Sequence, residues 1–172
     1  MSKVLVVVDM QKDFIDGSLG TKEAQNIVPA VVEKIRQRKT EGYEILVTMD
    51  THGEDYLQTQ EGRNLPVEHC IKGSEGWQLA SEIEKEVVGC RRYEKTTFGS
   101  RELVRDLGQM KPESVEFVGL CTDICVVSNV LGVKAWLPET PICVDSHCCA
   151  GVTPQSHQAA LDTMTSCQVE IL

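Results

Sequence analysis

Apolar residues fall along this chain in short blocks that alternate between two periods. Val4-Leu5-Val6-Val7-Val8 is a continuous β-branched run, too short for a buried helix, and predicts a central strand covered on both faces. From about Glu23 to Glu41, Ile27, Val28, Val31, Val32 and Ile35 recur as one helical stripe, which Gly42 stops. Glu44 to Met49 reads as a second strand, and Trp77, Ala80, Ile83 and Val87 mark a helix ending at Gly89. Cys90 to Tyr93 is a short strand, Val115 to Gly119 another, and about Asp123 to Leu137 a further helix. Ile142 to Asp145, Pro154 to Ser166 and Gln168 to Leu172 follow as strand, helix and strand, with Pro154 near its helix's first position.

Strands that alternate with helices imply right-handed crossovers. The pattern therefore predicts an α/β fold: a mostly parallel central sheet of about six strands, helices on both faces, in a Rossmann-like three-layer arrangement. A chain of 172 residues suits one such domain over 1–172 and is too short for two comfortable ones. The segment from Thr51 to about Gly76 has no strong periodicity. A loop that long inside a compact domain usually serves as a lid or binding loop.

Composition narrows the partners. Hydrophobic residues make up 41% and charged residues 25%, which is the balance of a soluble globular chain. No apolar run approaches the roughly 20 residues that cross a bilayer, so no membrane partner is expected. The N-terminus lacks the basic region and apolar stretch of a secretory signal, so a cytoplasmic location is expected. Seventeen basic against 26 acidic side chains give a net charge of −9, which argues against a nucleic-acid partner. Eight cysteines without an export signal, and with no CxxC pair, read as reduced thiols of which one or two do chemistry.

In an open α/β sheet, ligands bind beyond the carboxyl ends of the strands. Asp9 closes the first predicted strand, Asp50 and His52 follow the second, Lys95 follows the third, and Cys121, Asp123 and Cys125 follow the fourth. Reactive groups from four strand ends should meet on one edge. Cys125 lies where strand turns into helix, where unpaired N–H groups and the helix dipole would stabilise a thiolate. A buried structural cysteine is the commoner fate of a free thiol, so the neighbours matter. Asp9, a carboxylate directly after an apolar strand, is a candidate base, and Lys95 a candidate cation. Asp50-Thr-His52 with His69 farther on offers ligands that suit zinc, manganese or iron.

Three motifs carry a family resemblance: Val-Val-Asp-Met-Gln-Lys-Asp-Phe, the lysine before Phe-Gly-Ser, and Gly-Leu-Cys-Thr-Asp-Ile-Cys-Val. In this order and at these separations, the chain resembles the isochorismatase-like cysteine hydrolases over nearly its whole length. That family includes nicotinamidases, N-carbamoyl amidases and isochorismatases. The resemblance implies a catalytic triad of Asp9, Lys95 and Cys125, a cis peptide at Leu120–Cys121, and an oxyanion hole from the Cys121 and Cys125 N–H groups. It also implies a metal site of Asp50, His52 and His69, with Glu61 where some nicotinamidases use a further carboxylate; zinc is the expected ion. Phe14 is expected to line the pocket and stack on a flat ring.

The presence of the metal set favours a nicotinamidase-like member, which hydrolyses a small amide through a thioester. Ile124 departs from that pattern, since many nicotinamidases carry an aromatic residue just before the nucleophile. An amidase for a carbamoyl or ureido compound is the alternative within enzymes. A metal- or redox-sensing protein that uses Cys121, Cys125, His147, Cys148 and Cys149 is the alternative from another class, and it leaves Asp9 and Lys95 unexplained. By resemblance the chain is expected to form a homo-oligomer.

Overall fold

The computed structural model describes residues 2–172. The β-branched run becomes strand β1 (Lys3–Val8), and Val4 through Val8 are fully buried. Around it form β2 (Glu44–Asp50), β3 (Arg91–Lys95), β4 (Ser114–Leu120), β5 (Ile142–Ala150) and β6 (Glu170–Ile171). They make one six-stranded sheet in the order β3-β2-β1-β4-β5-β6. Every pairing is parallel, as continuous apolar strands joined by helices require.

The helices are α1 (Lys12–Ile15), α2 (Lys22–Thr40), α3 (Gln60–Asn64), α4 (Ser81–Glu86), α5 (Arg101–Met110), α6 (Val127–Trp136) and α7 (Pro154–Ser166). Alternation along β1 divides them. Leu5 and Val7 face one core with Phe14, Val31, Ile35 and Ile83, whereas Val4, Val6 and Val8 face another with Leu107, Val130 and Met164. Three layers result. Gly119 lets the two central strands approach: at φ 121°, a Cβ there would lie 2.1 Å from the Val8 carbonyl oxygen. Among the described residues no helix is long and apolar enough to cross a membrane.

Elements differ from the sequence expectation in several places: α1 and α3 were not expected, β3 includes Lys95, and β6 is shorter than Gln168 to Leu172. α5 was not singled out by the apolar pattern, although Ser100 caps it by accepting from Leu103 N at 3.2 Å and Leu103 and Leu107 are buried. The helix expected from Trp77 to Gly89 narrows to α4. Trp77 is held outside it, because its carbonyl accepts from Gln11 Nε2 at 2.8 Å and its indole N–H donates to Thr51 at 3.0 Å. The helix expected from Asp123 begins instead as a π-helical turn, Thr122–Val126, before α6. β5 runs on to Ala150, so His147, Cys148 and Cys149 lie within the strand rather than after it.

The pairing of β5 with β4 is irregular between Phe117 and Gly119, and Asp145 falls in that irregularity. There Lys34 reaches Asp145 Oδ2 at 2.7 Å and Glu116 Oε1 at 3.1 Å, while Arg38 Nε meets Glu116 Oε2 at 2.6 Å. Burial alone would raise the Asp145 carboxyl, but the Lys34 ammonium overrides it and holds the group below its ordinary 3.8. A depressed carboxylate stabilises the fold above its unfolded value, and that contribution is lost as pH falls through the folded one. Asp145→Asn is therefore expected to cost about 1–3 kcal/mol at pH 7. The gap to wild type should begin to narrow below about pH 4 and go on shrinking as pH falls through the folded value. Urea unfolding midpoints of both proteins at pH 7 and pH 3 check this; an equal gap at both pH values would contradict it.

Candidate active site

The strand order reverses at β1 and β4, and such a switch point leaves a crevice beyond the carboxyl ends of the two strands. Asp9 leaves β1 with φ 47° and turns its carboxylate into that crevice, fully buried. Thr48 Oγ1 on β2 donates to Asp9 Oδ1 at 2.6 Å. Opposite, β4 ends in a cis Leu120–Cys121 peptide, followed by the π-helical turn that carries the buried Cys125. The β3–β2 register pairs Lys95 with Asp50 and so brings the lysine to the same edge.

One ammonium joins these groups. Lys95 Nζ lies 2.6 Å from Asp9 Oδ2, 3.3 Å from Asp50 Oδ1, 3.1 Å from the Thr97 carbonyl and 3.4 Å from Cys125 Sγ. The contact with Asp9 Oδ2 is ionic, with no well-aligned hydrogen bond to that oxygen. Burial would depress the lysine, but Asp9, Cys125 and Asp50 around it raise it well above its ordinary value, so it stays charged. Burial also pushes the Asp9 carboxyl up, partly offset by Lys95.

Burial pushes the Cys125 thiol well up too, the Asp9 charge adds to the rise, and Lys95 opposes it. The sulfur is buried within the turn, 3.4 Å from the Lys95 ammonium.

The expected metal residues also come together. One ligand atom each from Asp50, His52, Glu61 and His69 lies within 4.8 Å of all the others. Asp50 Oδ2 sits 3.0 Å from His52 Nε2 and 3.4 Å from His69 Nε2, and Glu61 Oε1 sits 3.7 Å from both rings. His69 Nδ1 bonds the Val67 carbonyl at 2.8 Å, which directs Nε2 at the cluster. The Tyr56 ring packs 4.8 Å from His52 and 5.0 Å from His69, and Phe14 packs 5.5 Å from His69.

Burial would raise the Asp50 carboxyl, but His52, His69 and Lys95 hold it far below the carboxylate range. Burial and the Asp50 charge push Glu61 up. Two crowded carboxylates beside two oriented imidazoles suit a divalent cation, so the donor set fits the expected ion. Among the described residues this is the one such group, and no cysteine belongs to it. The sensor alternative, which needs Cys121, Cys125, His147, Cys148 and Cys149 to act together, finds no support there.

A cleft of about 750 Å³ opens beside the metal residues, lined among others by His52, Glu61, Thr97, Phe98 and Ile124, which is next to Cys125 in sequence. A groove of about 1140 Å³ between α1, α2 and α4 is larger but contains none of the triad or metal residues. Size does not locate the chemistry here.

Three supporting residues escaped the sequence reading. Gln11, fully buried, donates to the Asp50 carbonyl at 2.8 Å and accepts from Asp50 N at 2.7 Å. Asn129, fully buried, donates to the Cys125 carbonyl at 2.8 Å and accepts from Ser100 N at 2.8 Å, which ties the nucleophile turn to the segment after Lys95. Asp13 Oδ2 accepts from Cys70 N at 2.8 Å and so anchors the stretch that carries His69. A buried-face Asn among the Val and Leu residues of α6 was the available signal; Gln11 and Asp13 carried none that periodicity could detect.

A parallel α/β sheet with these groups gathered at its switch point defines a hydrolase acting on C–N bonds, a class that the comparisons support. Residues 3–172 match the isochorismatase domain, and the chain belongs to that family. It is 29% identical over 187 residues to the nicotinamidase of Saccharomyces cerevisiae, covering 83% of this chain and 86% of that protein. The pyrazinamidase/nicotinamidase of Streptococcus mutans superposes with a TM-score of 0.89 at 25% identity, covering 99% of this chain and 100% of that one. The pyrazinamidase of Pyrococcus horikoshii, solved in complex with zinc, superposes with a TM-score of 0.83 at 26% identity, over 100% and 99% of the two chains.

Proposed function

We propose that the chain converts nicotinamide to nicotinate and ammonia through a thioester on Cys125. The observation that carries this reading is the single lysine that touches Asp9, Cys125 and Asp50, and so joins the triad to the metal residues. Similarity to nicotinamidases and pyrazinamidases supports the choice of a ring amide.

Asp9 takes the thiol proton as sulfur adds to the amide carbonyl. The oxyanion that forms is received by the Cys121 and Cys125 N–H groups, and Lys95 balances the negative charge. The C–N bond then breaks, Asp9 returns its proton to nitrogen, and ammonia leaves a thioester. Water adds to the thioester with its proton passing to Asp9. The C–S bond breaks, Asp9 reprotonates the sulfur, and the acid departs. Asp50, His52, His69 and Glu61 would hold a divalent ion, zinc by expectation, which when bound supplies a Lewis-acid anchor for the ring nitrogen. Phe14, packed behind His69, is assigned to the apolar side of the ring pocket.

Ammonia release from nicotinamide tests the reading. Dialysis against a chelator is expected to lower the rate by more than about tenfold, and zinc to restore it. Metal content measured on His69→Ala should fall well below that of wild type. Full activity on nicotinamide after verified metal loss would remove the metal from the reading, and no ammonia release from nicotinamide with zinc present would favour a carbamoyl or ureido substrate.

A further inference from the structure

The turn that carries Cys125 is held from two sides. Asn129 and Lys95 grip it from the cleft side. On the other side stand α7 and the residues leading into it. Thr122 is fully buried, and its hydroxyl shares a 2.7 Å hydrogen bond with Nδ1 of His157 on α7. Next to it, Asp123 Oδ1 accepts from Val152 N at 3.0 Å.

α7 is itself fixed in place. Thr153 and Ser156 form a reciprocal cap at its start, with Pro154 in its first turn. A Cβ at Gly151 would lie 2.8 Å from the His157 backbone nitrogen, so glycine lets the end of β5 press against the helix. Burial keeps the imidazole neutral near pH 7, although Asp123 pulls the other way. Neither Thr122 nor His157 belongs to the triad or the metal residues.

We propose that His157 is a positioning residue for the nucleophile turn, which acts through Thr122 to fix the backbone from Cys121 to Cys125. The Cys121 carbonyl accepts from both Ile124 N and Val126 N at 3.0 Å, so the peptide between Cys121 and Thr122 moves with the turn as a unit. Anchoring Thr122 sets the tilt of that unit. The groups it aims are the sulfur and the N–H donors that meet the oxyanion, which matter more to the transition state than to substrate binding. The kinetic consequence rests on the amide-hydrolysis reading above; the structural one does not.

The test uses His157→Leu, Thr122→Val and His157→Asn in the full chain, with nicotinamide as substrate. Loss of the anchor is expected to lower kcat by on the order of tenfold, since small misplacements of reacting groups are costly. KM should stay within about twofold. Combining the first two changes should add little to either alone, because both remove one interaction. His157→Asn, which keeps a polar atom near the Nδ1 position, should recover most of kcat.

Amide exchange followed by mass spectrometry should show faster exchange in residues 121–126 of His157→Leu, with protection regained in His157→Asn. A lowered melting temperature with unchanged kcat would overturn the proposal. If wild type releases no ammonia from nicotinamide, the substrate reading fails by itself. Exchange then decides the anchor, and equal protection of 121–126 in wild type and His157→Leu would overturn it.

Discussion

Cys125→Ala is expected to lower turnover by about 10⁴-fold or more while leaving the fold intact. The sulfur lies 3.4 Å from the Lys95 ammonium, and alanine leaves no nucleophilic atom at that place. The side chain is small and already buried, and its truncation should cost less than about 2 kcal/mol. Activity and stability should therefore separate cleanly. Rapid quenching of wild type with substrate, followed by mass analysis of the intact protein, should reveal an acyl adduct that Cys125→Ala lacks. Near-normal turnover by that variant would remove the thioester from the mechanism.

Lys95→Met is expected to damage both activity and stability. It removes the ammonium that stands between the buried carboxylates of Asp9 and Asp50. Breaking such a buried ionic contact typically costs about 3–5 kcal/mol. Turnover should fall by about 10²–10³-fold or more, because the charge that balances the oxyanion is lost. The pH dependence has a definite sign. Burial already raises the Asp9 carboxyl, and without Lys95 only the Thr48 hydrogen bond opposes that rise. A carboxyl with a raised folded pKa holds its proton in the native state while the unfolded chain has lost it, so stability falls as pH rises through that window. The variant should therefore lose less stability relative to wild type at pH 5 than at pH 8. Urea unfolding at the two pH values reads this directly. A loss that is equal at both would show that Asp9 does not gain a proton when the lysine is removed.

Much of the site was legible because strand ends are legible. A continuous β-branched run such as Val4 to Val8 has one physical solution, a doubly covered strand, and the polar residue that ends it must face the crevice. The same logic located Asp50, Lys95 and Cys125. Other features were not accessible in that way. α5 carries its stripe in Leu103, Val104, Leu107 and Met110 and was legible but passed over, whereas Trp77 matches a helical stripe although its backbone and indole are bound elsewhere. Gln11 bonds Asp50 and Asp13 bonds Cys70 across long sequence separations. Such contacts leave no periodic trace, because they depend on which strands become neighbours.

The sequence by itself determined the alternation of strands and helices, the chemical types waiting at the strand ends, and the family motifs that connect them. Local burial dictates those features, and side-chain periodicity records local burial. The tertiary structure decided the strand order that seats β1 between β2 and β4, the shared position of Lys95 against Asp9, Cys125 and Asp50, and the closure of His52, Glu61 and His69 around Asp50. It also set how deeply the Cys125 sulfur is buried and which charges face it. Protonation depends on burial and on charges brought from distant parts of the chain, and those become fixed when neighbouring strands settle about 4.8 Å apart and exclude water.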